Sequence, residues 1–221
     1  MAFNKSNIAL VASGAAHSDL SKWTQELLGG VKDGAKLTSP AAKYYGGQTR
    51  LSSTHGSSFV IAFPGTAGSP NFKAEYKVLA HLLGGQTAVK WNTGFSLLSR
   101  AVSNLPGVTA VANHASFSDA GLLYITVNGP GALLEQAGQE VVKTLNEAAN
   151  VSAEQVKKAI AQAKFDVLAE VEDRSIGLEL VGQSLLLNGT APQADVIVKA
   201  LDGVTLDTIK KVGHSVTILL L

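Results

Sequence analysis

The chain has 221 residues, 46% hydrophobic and 16% charged, and 18 Lys plus Arg against 17 Asp plus Glu give a formal net charge of +1. This composition supports one sizeable core, and a charged fraction below the usual quarter or so excludes a disordered, solvating chain. The lack of a basic excess argues against nucleic-acid binding, the lack of cysteine removes disulfides and thiolate chemistry, and no apolar run reaches the roughly 18–20 residues of a membrane span.

Ile8–Ala12 reads as a strand closed by Ser13-Gly14. After Ser18, the spacing of Leu20, Trp23, Leu27 and Leu28 predicts a helix ended by Gly29-Gly30. Lys32–Gly47 is rich in Gly, Ser, Pro and Ala and reads as a loop. Arg50–Thr54 and Ser58–Phe63 read as two strands around His55-Gly56, with Pro64-Gly65 stopping the second. Asn71 is placed to cap a helix with an apolar face of Phe72, Tyr76, Leu79, Ala80 and Leu83, ended by Gly84-Gly85. Phe95, Leu98, Ala101 and Val102 suggest a short helix before Pro106-Gly107.

Val108–Ala112 and Leu122–Val127 then form an expected antiparallel pair, with a bulge or wide turn over Asn113–Gly121. Beyond Gly129-Pro130 the pattern turns helical, first along Leu133, Leu134, Ala137, Val141, Leu145 and Ala148. Ser152 with Gln155 makes a capping box, with Val151 and Val156 as its staple, before a helix carrying Ile160, Ala163, Val167 and Val171. A further helical segment holds Leu178, Val181 and Leu185 and ends at Asn188-Gly189. Pro192 opens the next, Thr205 the last, and the apolar finish Val216–Leu221 reads as a closing strand. This order predicts an α+β fold, a mostly antiparallel sheet covered by helices, in a single domain spanning 1–221.

Chemistry-bearing motifs are scarce. The five histidines, His17, His55, His81, His114 and His214, have none of the spacings that set two imidazoles on one helix face for zinc. His81 is expected at a helix edge and the others in loops. No Gly-x-Ser-x-Gly elbow, Gly-x-Gly-x-x-Gly turn or Walker lysine loop occurs. Glu170, Glu172 and Asp173 read as a solvated helix end, and Asp119 as a carboxylate that fixes a turn. The three glycosylation sequons at Asn4, Asn150 and Asn188 read as chance matches, and the N-terminal Met1–Ser6 as neither signal nor transit peptide. From the residues alone, no catalytic, cofactor-binding or metal site is expected.

Tyr44-Tyr45-Gly46-Gly47-Gln48-Thr49-Arg50, Leu82-Leu83-Gly84-Gly85, Phe95-Ser96-Leu97-Leu98 and Ser116–Leu122 together resemble motifs of the pitrilysin-like metallopeptidase family, which includes the mitochondrial processing peptidases. The stretch Leu82–Tyr124, with Val89-Lys90-Trp91 inside it, is most similar to the family's fungal, non-catalytic core-protein branch. The resemblance covers nearly the whole chain. It implies one half of the two-half metallohydrolase-like fold, namely the second half, which lacks the zinc-binding histidines and glutamate base of the first.

Active members also supply an arginine and, seven residues later, a tyrosine that contact substrate. Alignment to that motif puts Ser103 at the arginine position and Ala110 at the tyrosine, with Arg100 three residues early. The resemblance therefore implies a non-catalytic structural domain of mitochondrial respiratory complex III, without a cofactor, on the matrix side of the inner membrane. Core protein 1 and other complex III subunits are the implied partners, and an isolated half would tend to self-associate through its partner-facing surface. Two alternatives stand beside it: the cavity half of a zinc-dependent processing peptidase, or a module that binds presequences without cleaving them. The C-terminal tail departs from the family pattern, with Lys210-Lys211-Val212 running quickly into Gly213-His214-Ser215.

Overall fold

The computed structural model describes residues 3–38, 40–54, 56–68, 71–84, 96–191 and 193–218. Its helices and strands follow in chain order as α1 (His17–Leu28), β1 (Ser57–Pro64), α2 (Ala74–Leu83), α3 (Leu97–Ala101), β2 (Thr109–Ser116), β3 (Gly121–Gly129), α4 (Gly131–Glu147), α5 (Ala153–Glu172), α6 (Arg174–Asn188), α7 (Ala194–Asp202) and α8 (Leu206–Ile218). Short 3₁₀ turns occupy Lys5–Asn7 and Ala148–Asn150. The residues fall into two compact units: Met1–Ala42 with Val167–Ala194, and Lys43–Asp166 with Asp195–Leu221.

The larger unit is built on an antiparallel sheet in the order β1-β3-β2. Register pairs Phe59, Ile61 and Phe63 of β1 with Val127, Ile125 and Leu123 of β3. The same β3 residues face Ala110, Ala112 and His114 of β2. Because strand side chains alternate, all nine share one face. On it Phe63, Ala110, Ala112, Leu123, Ile125 and Val127 are buried, and α2, α3 and α4 pack against these strands. Val78, Leu79, Leu83, Leu98, Val141, Leu145 and Ile209 complete the core from the helices. The α+β expectation, helices on an antiparallel sheet, is borne out.

Two glycines let the backbones close up. The Gly65 N–H donates to Gly121 O at 2.8 Å, and a Cβ on Gly121 would collide with the Thr66 main chain. Gly84 ends α2 with φ +133, where any Cβ would strike Ser96. From there Gly84 O accepts the Ala112 N–H of β2 at 3.0 Å, tying the helix end to the sheet.

Helix ends follow the expected chemistry at several points. The Ser152 hydroxyl accepts from Gln155 N at 3.2 Å and Gln155 Oε1 accepts from Ser152 N at 2.8 Å, so both arms of the capping box form. Thr205 and Thr208 exchange hydrogen bonds at the start of α8. Asp173 caps α6 by accepting from Ser175 N and Ile176 N, each at 2.9 Å, so one member of the acidic cluster has a structural task.

In the smaller unit, Asn4 Nδ2 donates to Ala35 O at 3.1 Å and Ser6 Oγ to Gly34 O at 2.6 Å, while Asn7 Oδ1 accepts from Leu37 N at 2.9 Å. Arg174 Nη2 donates to Ser13 O at 2.7 Å.

Several expectations are corrected. Ile8–Ala12 is not a strand: here side chains of the 3₁₀ turn just before it bond to the 34–37 backbone, with no ladder of the main chain. Arg50–Thr54 is likewise not a strand; all five residues are exposed, with Leu51 at 87%, so no apolar face is buried to hold one in register. The β2–β3 connection is tighter than a wide turn over 113–121, because both strands extend to a turn closed by Phe117 N–H to Ala120 O at 2.8 Å. Lys73, not Asn71, precedes α2; Asn71 O instead accepts from the Thr66 hydroxyl at 2.9 Å. Val216–Ile218 belongs to helix α8, since Ile209, Gly213 and Val216 keep a buried face at helical spacing. His55, Gly85, Val89-Lys90-Trp91, Phe95, Pro192 and Leu219–Leu221 lie outside the described residues.

Candidate functional site

Arg100 lies near the end of α3, exposed. Ser103 follows in the turn beyond it, also exposed, with its hydroxyl donating to Arg100 O at 2.8 Å. Ala110 lies on β2 at 5% exposure, on the face that the helices cover. The structure thus presents a hydroxyl at 103 and a buried methyl at 110. Neither offers a cation or a phenol to a peptide carbonyl.

The histidines divide differently from the loop placement expected for most of them. His17 begins α1 and His214 lies within α8. His81 does sit at the edge of α2, where Nε2 is 3.4 Å from Asp166 Oδ2. His114 is on β2 and half-buried on the covered face. Its ring stacks on Tyr76 of α2 with centroids 5.8 Å apart and planes at 28°. Thr66 N donates to its Nε2 at 3.4 Å, while Ser116 Oγ lies 3.5 Å from Nδ1. Burial, reinforced by the nearby charge of Lys77, pushes its pKa down to about 4.

Thr66 itself is buried and joins three segments, donating to Asn71 O and accepting from Lys73 N at 3.1 Å besides its contact with His114. The cluster is a clasp between the sheet, α2 and the 64–73 connection. Sequence reading missed it by ending the strand at Ala112. Continuing the Ala110, Ala112 alternation by one step would have put His114 on the covered face.

Asp119 is exposed in the β2–β3 turn. Tyr44 and Tyr45 of the Gly-Gly motif are exposed; Tyr44 hydroxyl donates to Ala62 O of β1 at 3.5 Å and Lys43 lies 5.3 Å from the Tyr45 ring centre. An open groove of about 650 Å³ runs along α4, lined by Glu135, Gly138, Gln139, Val142, Lys143 and Asn146 among others. It holds no nucleophile–base pair. Among the described residues no group of three or more His, Asp or Glu side chains is disposed to hold a metal ion. No helix among them is long and apolar enough to cross a membrane.

Comparison with known proteins agrees with this arrangement. The chain is 41% identical over 215 residues to the cytochrome b-c1 complex subunit 2, mitochondrial, of Neurospora crassa, covering 95% of this chain and 47% of that protein. The corresponding subunit of Cryptococcus neoformans is 37% identical over 218 residues, covering 95% of this chain and 48% of that one. The Dictyostelium discoideum mitochondrial-processing peptidase subunit alpha-2 is 26% identical over 221 residues, covering 97% and 49%. The chain therefore spans about half the length of the curated relatives it matches. In fold it is similar to a chain of the structure of complex III2 from Candida albicans with Inz-5 bound, at a TM-score of 0.77 and 20% identity, covering 91% of this chain and 50% of that one. Residues 2–163 match the family described as the peptidase M16 inactive domain. With the sequence motifs, the helix-covered antiparallel sheet and this match in agreement, the chain belongs to the peptidase M16 inactive-domain family.

Proposed function

We propose that the chain is a non-catalytic structural domain, the second half of core subunit 2 of the mitochondrial cytochrome b-c1 complex, respiratory complex III. The observation that carries this reading is 41% identity across nearly the whole chain to a protein of that name. Its task is to support assembly and stability of the complex from the matrix side of the inner membrane, in contact with core protein 1 and other subunits. The whole 1–221 chain acts as one domain in this reading, and no catalytic, cofactor or metal site is assigned to it. Ser103 and Ala110, standing where active relatives carry arginine and tyrosine, account for the loss of peptidase activity. A methyl group on the covered face of β2 has no polar atom with which to orient a scissile carbonyl.

The relation to processing peptidase alpha subunits supports a second reading. Here the chain would be one wall of a substrate cavity, either opposite a zinc-bearing half or holding presequences without cleavage. A pull-down of the tagged chain from fungal mitochondrial extract, with bound proteins identified by mass spectrometry, separates the readings. Recovery of core protein 1 and further complex III subunits is expected. Recovery of a zinc peptidase half with cleavage activity, and no complex III subunits, would overturn the structural reading. Tight binding of a basic amphipathic peptide without cleavage would identify the presequence-holding module.

A further inference from the structure

We propose that Asn188, at the end of α6, is a site of spontaneous deamidation, whose conversion unwinds the last turn of that helix. Asn-Gly occurs twice in the chain, at Asn128-Gly129 and Asn188-Gly189. In this dipeptide the glycine has no Cβ to hinder approach of its amide nitrogen to the preceding side chain. The Gly189 nitrogen gives its proton to a solvent base and attacks Asn188 Cγ. A C–N bond forms, the side-chain nitrogen leaves as ammonia, and a five-membered succinimide results. Water then adds to one of its two carbonyls and opens the ring to aspartate or isoaspartate. The net change consumes one water, releases one ammonia and needs no oxidant or cofactor.

The two sites carry the same chemistry with both asparagines exposed, and they differ in how the backbone around them is held. Asn188 is exposed as the last residue of α6, and Gly189 turns the chain at φ +72. No atom lies within 4 Å of where a Gly189 Cβ would stand. Two restraints hold the pair: Asn188 Nδ2 donates to Ser184 Oγ at 3.4 Å, and Gly189 N–H donates to Leu185 O at 3.0 Å. Both belong to the final helical turn, so fraying of that turn alone frees the nucleophile and the carbonyl it attacks.

Asn128 lies near the end of the central strand, opposite Ser58 of β1 and Thr109 of β2. The Gly129 backbone is pressed against Val108, whose Cγ2 would stand 2.8 Å from an added Cβ. Ring closure at Asn128 requires the sheet to open on both sides.

Conversion at 188 places a carboxylate at a helix C-terminus, where the helix dipole disfavours negative charge. In the isoaspartate product the main chain runs through Cβ. The added methylene moves Gly189 N–H away from Leu185 O, removing the bond that closes α6.

The test is peptide mapping of the full chain aged in mildly alkaline buffer, following the mass of the tryptic peptide Ser175–Lys199 against the peptide containing Asn128. In the folded chain, conversion at Asn188 is expected to be at least about tenfold faster than at Asn128, the ratio set by local against global opening. In denaturant the two rates should converge, and an Asn188→Gln chain should show no gain in the Ser175–Lys199 peptide. Equal rates in the folded chain would overturn the proposal. So would retention of the Asn188 amide under conditions that convert it in the unfolded chain, or a persisting gain in the Asn188→Gln variant.

Discussion

Protonating His114 would set a second positive charge near Lys77 and remove the lone pair that accepts from Thr66 N. Its folded-state pKa, about 4, lies below the ordinary 6.5, so the folded chain binds fewer protons than the unfolded one between those values. The contribution to stability is therefore complete above pH 6.5 and falls as pH drops toward 4. Discounted for solvent screening of a partly exposed ring, the loss should be about 1–2 kcal/mol. Urea melts from pH 7 to 4 should show it, and His114→Gln should flatten that limb; an unchanged slope would remove His114 as its cause. At the neighbouring residue, Thr66→Val leaves Lys73 N without its hydroxyl acceptor and Asn71 O without its donor. It should cost about 1–3 kcal/mol at neutral pH by the same melts.

Among the elements, the capping box at Ser152 and the close approach at Gly121 test two kinds of local rule. Ser152→Ala removes the acceptor for Gln155 N and should cost about 1 kcal/mol, read as a lower midpoint in thermal or urea unfolding. Gly121→Ala should cost more, about 1–3 kcal/mol, because the new methyl meets rigid Thr66 main chain with no flexible side chain to yield. The capping box and the glycine helix ends at Gly84 and Gly189 were legible in sequence because they are local chemistry, satisfied within four residues. The failures share the opposite property. Ile8–Ala12 and Arg50–Thr54 look apolar or extended enough for strands, yet a strand exists only through a distant partner. Val216, Thr217 and Ile218 are all β-branched, and helical continuity with Ile209 overrode that preference. The face His114 occupies lay one alternation step beyond Ala112, but its role was hidden for the same non-local reason, since it depends on Thr66 and Tyr76, which no spacing in the sequence connects to it.

For the whole molecule, burial is distributed unevenly. Among the described residues, the buried apolar side chains belong to the larger unit except for Val167. In the smaller one, Phe3, Trp23, Leu27, Leu37 and Leu187 are exposed. Local opening free energy follows buried apolar contact, so amide hydrogen exchange should run fast through α1 and α6 and slowly through β3, α2 and α4. Uniform protection across both sets would refute this division. The family, too, was legible at this scale, because short motifs such as Leu82-Leu83-Gly84 and Ser116–Leu122 sit at chain reversals where the backbone restricts the choice of residue.

The sheet order has a consequence for how the chain is made. The central strand, β3, is the last of the three to be synthesised, and both neighbours depend on it. β2 waits only for a tight hairpin, whereas β1 leaves the ribosome long before its partner exists. Through that interval Phe59-Val60-Ile61-Ala62-Phe63 is an uncharged, strand-prone segment with no ladder to join. The chain's dependence on chaperones should therefore be concentrated in this nascent interval, and should lapse once the hairpin supplies the β3 edge against which β1 can close.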